Sequence, residues 1–395
     1  MHYDKAQGKK IRYWIGRDYP TKTAAERALN KWITDFEAGL VAPRSDLTIE
    51  QLLKKWLDGH RGEQTTYHGY EPKARLHVYP RIGDVKVVDV TDEHLNDLYN
   101  ALEAEPSATK GGKPLGPKSV RHIHNMLSGA LDSVTGPNRL LTVNPARFAS
   151  PPTERQIRAA EADYPTLNDS ETAAFLAEIW KPCGNRKCGK FHRCLRDAPL
   201  WSAYVATGER RSEALGMKWD LIDWDQGSIE LGYVVVSEGS GYRLRKLTKD
   251  GEANAVIYVD QSFMNVLKYQ WERQQEEKAR LGSLWVEHGL VFARDGYMLR
   301  GDGVPGGPQD PEKVSARWRR TRRRLGLPDE FRLHDWRASK ITNDLDAYEN
   351  PVEVSANARH HSPGYTMTKY GRRRKEGAVK LASSSANRIK LTGLT

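Results

Sequence analysis

The sequence predicts a multidomain fold: a small β+α module, then an all-α domain, then a mixed, mainly α domain with a small antiparallel sheet. Three observations predict it. The chain has 395 residues, and at about 150 residues per domain this length favours two or three domains. Apolar residues follow helical spacing in most segments, whereas strand-like runs are confined to two places. Segments rich in Pro, Ser and charged residues separate the parts.

The first module is predicted at residues 1–43. It opens with the strand-like run KKIRYWIG and passes through Pro20 into a helix. The apolar residues of that helix follow helical spacing; they are Ala25, Leu29, Trp32 and Ile33. The segment APRSD then predicts a linker.

The all-α domain is predicted at residues 46–150. Thr48 and Gln51 form a capping-box signature, which places a helix start at this point. Two more amphipathic helices are indicated after Thr91 and after Pro117, since each is followed by apolar residues at helical spacing. The segment SPPTERQIRAAEADYP carries prolines at both ends and few apolar residues, so we expect the main domain boundary there.

The third domain is predicted at residues 163–395. Helical patterns give way to strand-like runs at Ser228–Val236 and Ala255–Val259, and helices then return. This order predicts a mainly helical domain with a small sheet.

The charge of the chain indicates a polyanionic partner. The net charge is +11, with 62 Lys and Arg residues, and each phosphate that a cation neutralises releases condensed counterions. No apolar run approaches the roughly 20 residues needed to span a bilayer. We therefore expect a cytoplasmic protein that binds nucleic acid and not a membrane.

The segment TGERRSEALGMKW carries the first candidate for chemistry. Arg210 and Glu213 are three residues apart, so they share one face of a helix and the carboxylate can orient the guanidinium. A guanidinium donates two parallel hydrogen bonds to phosphate oxygens and never loses its charge. A solvated arginine at a helix start would give the same pattern, so this motif is not sufficient alone.

Two later segments add further candidates. In RLHDWRAS, His334 and Arg337 have helical spacing, which sets an imidazole beside a second cation. In ARHHSPGYTMTKYGRR, His361 and Tyr370 flank a predicted break and a short helix. A tyrosine hydroxyl has a pKa of about 10, so as a nucleophile it requires cations and a base nearby. Each residue alone is more often a structural one.

Taken together and in this order, the three motifs resemble those of the tyrosine recombinase (phage integrase) family. The resemblance implies site-specific DNA strand cleavage and rejoining through a 3′-phosphotyrosyl intermediate, in phage or mobile-element integration and excision, with no metal or nucleotide cofactor. It implies Arg210 and Arg337 as a phosphate clamp, His334 and His361 as proton-transfer and hydrogen-bonding groups, and Tyr370 as nucleophile. Glu213 is the supporting acid.

The family also uses a lysine on a β-hairpin as the general acid for the leaving oxygen. Asp250-Gly251 is a strong hairpin signal, and Lys249 lies nine residues before Tyr258, which agrees with the spacing of the family. We therefore prefer Lys249, and Lys246 remains the alternative. The glycine that usually precedes the last histidine is His360 here, so His360 is an alternative to His361, and the spacing to Tyr370 favours His361.

The resemblance extends to the rest of the chain. Residues 46–150 are similar to the core-binding domain, and residues 1–43 look like an arm-binding module that is shortened at its first strand. The candidate DNA contacts of that module are Lys9, Lys10, Arg12, Arg17 and Lys22. The family acts on double-stranded attachment sites as a homotetramer, with a directionality factor or a host DNA-bending protein as a further partner. The C-terminal tail is expected to dock on a neighbouring protomer.

Several signals admit other interpretations. Three cysteines and one histidine form a weak zinc candidate, but the last two are separated by a single residue, so free thiols in a loop are favoured; the four are Cys183, Cys188, His192 and Cys194. The run RWRRTRRRLG predicts a basic helix that lies along phosphates or faces solvent. A regulator without catalysis would have lost a motif residue, and a type IB topoisomerase would not need the arm-like module.

Overall fold

A computed structural model of the chain describes residues 2–4, 9–11, 16, 19–37, 45–59, 64–107, 111–137, 139–160, 165–184, 193–238, 241–247, 255–296, 303–371 and 375–389. The chain divides into two compact units, Met1–Ala162 and Asp163–Thr395. The boundary lies inside the proline-rich segment at residues 150–165. The further division of the first unit at residues 43–46 stays a prediction.

The described residues of the first unit form a short hairpin and a helix, followed by further helices. Strands β1 and β2 pair antiparallel, with His2 opposite Ile11. The elements are β1 (His2–Asp4), β2 (Lys9–Ile11), α1 (Lys22–Glu37), α2 (Ile49–Asp58), α3 (Gln64–Lys73), α4 (Tyr79–Ile82), α5 (Asp92–Ala104), α6 (Pro117–Asp132) and α7 (Glu154–Ala160). A five-residue π-helix, Ala74–Val78, joins α3 to α4.

Local sequence signals set the helix starts of this unit as predicted. The Thr48 side chain caps α2 and forms a reciprocal capping box with Gln51. Thr91 caps α5 in the same way, and Pro117 occupies the first turn of α6, where its missing N–H costs nothing. The apolar faces of these helices meet in one core that includes Leu53, Leu95, Ile123 and Leu127.

In the residues that the structure describes, the second unit combines helices with two small antiparallel sheets. Its helices are α8 (Asp169–Ile179), α9 (Ala198–Thr207), α10 (Arg211–Gly216), α11 (Gln261–Leu281), α12 (Pro311–Arg324), α13 (Asp335–Asp346), α14 (Pro351–Asn357), α15 (Pro363–Tyr370) and α16 (Lys375–Arg388). Its core is rich in aromatic rings: the centroid of Trp318 lies 5.4 Å from that of Trp201 and 5.9 Å from that of Trp336. These contacts fix α9, α12 and α13 against one another.

The strands of this unit are β3 (Ile222–Asp223), β4 (Ser228–Leu231), β5 (Tyr233–Glu238), β6 (Gly241–Lys246) and β7 (Ala255–Tyr258). The prediction of one continuous strand at Ser228–Val236 is wrong, because the chain breaks at Gly232. A side chain at Gly232 would come within 2.8 Å of Leu221 Cδ1, so a larger residue here would displace the Leu221 side chain. After the break the strand changes partner.

The pairing pattern bears on the predicted hairpin at Asp250-Gly251. Strand β4 pairs with β7, and β5 pairs with β6. Among the described residues, β6 and β7 are not paired with each other. The turn itself, with Lys249, lies outside the described residues.

Within the described ranges, no helix has both the length and the apolar character that crossing a membrane requires.

Candidate active site

The Arg210–Glu213 pair lies where helix α9 ends and α10 begins. Gly208 ends α9 in the left-handed conformation, with φ of 61°, which favours glycine because it has no Cβ. Arg210 is the N-cap of α10. Its backbone N–H donates to Glu213 Oε2 at 2.7 Å, and its Nη1 donates to Glu213 Oε1 at 2.9 Å. The Arg210 side chain is 36% exposed and that of Glu213 only 4%, so a buried acid holds a guanidinium that still reaches solvent.

A second arginine also binds this acid. Arg359 Nη2 donates to Glu213 Oε2, although the two residues are far apart in the sequence. Burial by itself would raise the pKa of Glu213, but the charges of Arg359 and Arg210 outweigh it and hold the pKa below its usual value. Glu213 is therefore ionised at neutral pH and joins two cations.

Arg337 lies in the first turn of α13 and is almost fully buried. Its Nη1 donates to the carbonyl oxygen of Gly208 at 2.9 Å, and its Nη2 donates to the carbonyl oxygen of Ala358. Burial, together with the positive charges of Arg359 and Arg210, lowers its pKa to about 10. The guanidinium stays charged at neutral pH, and its two hydrogen bonds join the end of α9 to the end of α14.

His334 is the N-cap residue of α13, three positions before Arg337, and its side chain is exposed. Its pKa is lowered, first by the protein atoms that displace part of its water and then by the charge of Arg337. At neutral pH its imidazole is therefore mainly neutral, and it is exposed to solvent near Arg337.

Tyr370 is the last residue of α15 and is 6% exposed. It packs in a small apolar cluster with Ile341 of α13 and Val354 of α14. The ring of His360 lies parallel to it, with centroids 5.7 Å apart, and His360 Nδ1 is 2.7 Å from Thr366 Oγ1. Burial lowers the pKa of His360 to about 4, and the charges of Arg337 and Arg210 contribute to the same shift. His360 is thus neutral at physiological pH.

The structure therefore brings Arg210, Glu213, Arg337 and Tyr370 into one region of the second unit. His361 is exposed there, with its ring centroid 5.0 Å from that of Tyr365. The histidine that contacts Tyr370 is its neighbour His360. Which of the two takes part in proton transfer stays a prediction.

Of the lysines, Lys249 lies outside the described residues. Lys246 ends β6, opposite Tyr233 in the register of the hairpin, and its side chain is exposed. The choice between them stays a prediction.

Sequence reasoning missed two further residues of this region, Arg359 and Glu209. Glu209 is the variable position of the Thr-Gly-x-Arg motif. It is 2% exposed, and neither carboxylate oxygen has a hydrogen-bond partner among the described residues. Burial raises the pKa of Glu209 to about 8, against the opposing charge of Arg359. Its only sequence signal is its place inside a motif that was assigned to other residues.

The remaining candidates are only partly described. Lys22 begins α1 and lies 3.9 Å from Glu26 in an exposed ion pair; Lys9 and Lys10 lie in β2; Arg12 and Arg17 lie outside the described residues. The backbone N–H of Cys183 donates to Cys194 Sγ at 3.4 Å. Cys188 and His192 lie outside the described residues, and the rest of the described chain holds no group of three metal-ligating side chains. The arm contacts and the zinc site stay predictions.

The predicted basic helix is α12. Arg317 is buried against Asp197 at 3.1 Å, and Arg322 is buried against Asp329, so these two are structural. Four other arginines of the run are exposed: Arg319, Arg320, Arg323 and Arg324. The basic run is therefore part core and part surface.

Comparison with known families gives two matches. The profile of the phage integrase family matches residues 186–376, and that of the phage integrase N-terminal SAM-like domain matches residues 48–103. A XerC-like tyrosine recombinase of Caldanaerobacter subterraneus subsp. tengcongensis is 22% identical over 293 residues, which cover 70% of this chain and 69% of that protein.

Two solved structures are also similar. The Tn1549 transposon integrase in complex with transposon right end DNA has a TM-score of 0.66 and 15% identity, over 87% of this chain and 100% of that one. A lambda integrase in a tetramer bound to a Holliday junction has a TM-score of 0.52 and 17% identity, over 95% of this chain and 93% of that one. At these identities the similarity shows the fold.

Proposed function

The chain belongs to the phage integrase family of site-specific tyrosine recombinases, and we propose that Tyr370 is the residue with which it cuts and rejoins DNA strands. The observation that supports this assignment is the position of Tyr370. Its ring stacks on His360, and it lies close enough to Arg337 to affect the pKa of that arginine. Cations near a phenol favour its ionised form, which is the nucleophile.

In the proposed reaction, the Tyr370 hydroxyl gives its proton to a histidine of the site, His361 or His334, and its oxygen attacks the phosphorus of a DNA phosphodiester. The bond from phosphorus to the 5′ oxygen breaks, and Lys249 gives that oxygen a proton. The 3′ end is then held as a phosphotyrosine. In the second step a 5′ hydroxyl returns a proton to Lys249 and attacks this ester, and the released tyrosine takes its proton back from the histidine. One phosphodiester replaces another, so the cycle needs no nucleotide as an energy source.

Arg210 and Arg337 lie in different environments and contribute differently to this chemistry. Arg210 is partly exposed and held at its base by Glu213, so its outer N–H groups can donate to a non-bridging phosphate oxygen. Arg337 is buried and fixed by two carbonyl oxygens, so it supplies a fixed positive charge behind the phosphate. Cations arranged before the reaction stabilise the charge that develops in the transition state.

For the partners, we propose double-stranded attachment sites and a homotetramer on paired sites, in the cytoplasm of a host cell. The lambda integrase tetramer on a Holliday junction supports the assembly, and the net charge of +11 supports a DNA substrate. A directionality factor or a host DNA-bending protein would be an additional partner. Integration and excision of a phage or mobile element would be the biological outcome.

Trapping of the covalent intermediate tests this function. A DNA duplex that carries a candidate attachment site and a nick next to the cleavage point lets the cleaved fragment diffuse away, so the adduct accumulates. We expect a DNA–protein adduct that maps to the peptide containing Tyr370. An adduct on another residue would contradict the assignment, and equal cleavage of unrelated duplexes with relaxation of supercoils would indicate a topoisomerase instead.

A further inference from the structure

Three consecutive residues, Ala358, Arg359 and His360, each contact a different part of the candidate site. We call them the 358–360 segment. The carbonyl oxygen of Ala358 accepts from Arg337 Nη2. Arg359 donates to Glu213, the acid that holds Arg210. The ring of His360 stacks on Tyr370. One short turn therefore contacts both arginines of the clamp, directly or through Glu213, and also the nucleophile.

The link from this turn to Arg210 passes through a single buried carboxylate. Glu213 Oε1 accepts from Arg210 Nη1, and Oε2 accepts from the Arg210 backbone and from Arg359. The side chains of Glu213 and Arg359 are only 4% and 11% exposed. Because water does not screen such a pair well, the orientation of Glu213, and with it that of Arg210, depends on where Arg359 lies.

The backbone of Arg359 supports a positioning role. Its φ is 52°, a left-handed conformation that is uncommon for residues other than glycine and has to be held by its surroundings. The turn is tied to α14 by the hydrogen bond from His360 N to the Ser355 carbonyl oxygen at 3.0 Å. On its other side the turn is held by the contact between Arg359 and Glu213.

We propose, on the basis of the function proposed above, that Arg359 is a positioning residue that makes the seating of Tyr370 and the alignment of Arg210 a single event. When α15 leaves its place, the 358–360 segment moves with it and Glu213 loses its second cation. Arg210 then loses its fixed orientation, so a subunit with an unseated tyrosine also has an unformed clamp.

Hydrogen exchange on the free protein tests the coupling without DNA. In Arg359→Gly the left-handed backbone is retained without strain and only the side chain is lost. We expect faster amide exchange in two places at once, the α14–α15 region and residues 209–216. The control is Tyr348→Gly, because Tyr348 also has a left-handed φ, of 67°, and its variant should leave residues 209–216 unchanged. Faster exchange confined to the α14–α15 region would overturn the proposal.

A double-mutant cycle on strand cleavage tests the consequence for the reaction. If Arg359 acts through Arg210, then Arg359→Gly should slow adduct formation at unchanged DNA affinity. The double variant with Arg210→Ala should then be no slower than Arg210→Ala alone. Arg359→Lys, which can still pair with Glu213, should recover part of the rate. Penalties that multiply in the double variant would overturn the proposal.

A substrate with a methylphosphonate at the cleavage point gives an independent readout. It removes the negative charge of the phosphate to which Arg210 is proposed to donate. The rate defect of Arg359→Gly should therefore be smaller on this substrate, whereas a merely structural defect would be the same on both substrates. If the unsubstituted chain forms no adduct on any site, the proposed function fails, and the exchange measurement alone decides whether Arg359 couples the two regions.

Discussion

The imidazole of His360 lies parallel to the phenol of Tyr370, with an angle of 2° between the rings and 5.7 Å between their centroids. The contact fixes the tyrosine ring from one side. An aromatic pair of this kind contributes about 0.5–1.5 kcal/mol, so His360→Leu should slow adduct formation roughly 2- to 12-fold at unchanged DNA affinity. His360→Phe keeps a flat ring and should recover most of the rate.

His361 offers the contrasting variant. If it is the proton-transfer group that the family resemblance implies, His361→Ala should lower the rate of single-turnover cleavage roughly 10²- to 10⁴-fold. A small loss in His361→Ala together with a large one in both His360 variants would reverse the two assignments.

Replacement of the nucleophile should separate binding from chemistry. Tyr370→Phe loses only the hydroxyl, and the ring can stay in its apolar cluster. We expect gel-shift affinity for the attachment site to equal that of the unsubstituted chain and no covalent adduct to form. The control is Tyr365→Phe, because that tyrosine is exposed one turn earlier on α15 and should still give an adduct. An adduct in Tyr370→Phe would refute the assignment.

Replacement of either clamp arginine by lysine should abolish most cleavage although the charge is kept. Arg337 donates from two nitrogen atoms to carbonyl oxygens of two separate segments, and a single ammonium cannot reproduce that fork. We expect Arg337→Lys and Arg210→Lys to cleave roughly 10²- to 10³-fold more slowly, measured as single-turnover adduct formation. Arg323→Lys, at an exposed position of α12, is the matched control. Near-normal rates in the clamp variants would contradict their role.

We expect the free energy of unfolding to depend on pH because of the buried carboxyl group of Glu209. Its pKa is raised to about 8 by burial, whereas an unfolded glutamate titrates near about 4.3. The folded chain therefore keeps a proton that the unfolded chain gives up, so the free energy of unfolding falls as pH rises through this range and falls no further above it. Arg359, Arg337 and Glu213 are the charged groups that affect this carboxyl.

Glu209→Gln removes that titration. Its melting temperature should match that of the unsubstituted chain near about pH 4.3, where both side chains are neutral, and exceed it at about pH 9. Glu272→Gln, on the exposed side of α11, should show no such divergence. Parallel melting curves for Glu209→Gln at all pH values would show that folding does not raise the pKa of Glu209.

The C-terminal tail predicts an effect on assembly. Val379 and Leu381 of α16 are 59% and 62% exposed, so more than half of each apolar side chain is not packed against the described part of its own subunit. Deleting residues 376–395 should weaken tetramer formation on paired sites more than binding to a single site. Lys380 contacts the ring of Tyr348 in the same subunit at 4.1 Å, so Lys380→Ala is the control and should leave tetramer yield intact. An unchanged yield after the deletion would leave the tail without an assembly role.

The local spacing of residues in the sequence was sufficient to predict some of these features but not others. The Thr48 cap and the Arg210–Glu213 pair join residues three positions apart, and helix geometry alone predicts both. The contact between Arg359 and Glu213 spans 146 positions, and it depends on a left-handed turn that no local signal in the sequence requires. The break at Gly232 likewise lies at a tertiary contact, with Leu221, that local spacing does not predict.

Helix α10 has six residues, and its first turn is closed by Arg210 and Glu213, the pair proposed to serve the phosphate. A helix this short does not persist by its own propensity. It is held by Ala214 and Leu215, which are fully buried in the same core as Trp318, so the pair loses its geometry only when that core loosens. Heat inactivation should therefore coincide with the loss of tryptophan packing, and a bound phosphodiester, by occupying Arg210, should delay both.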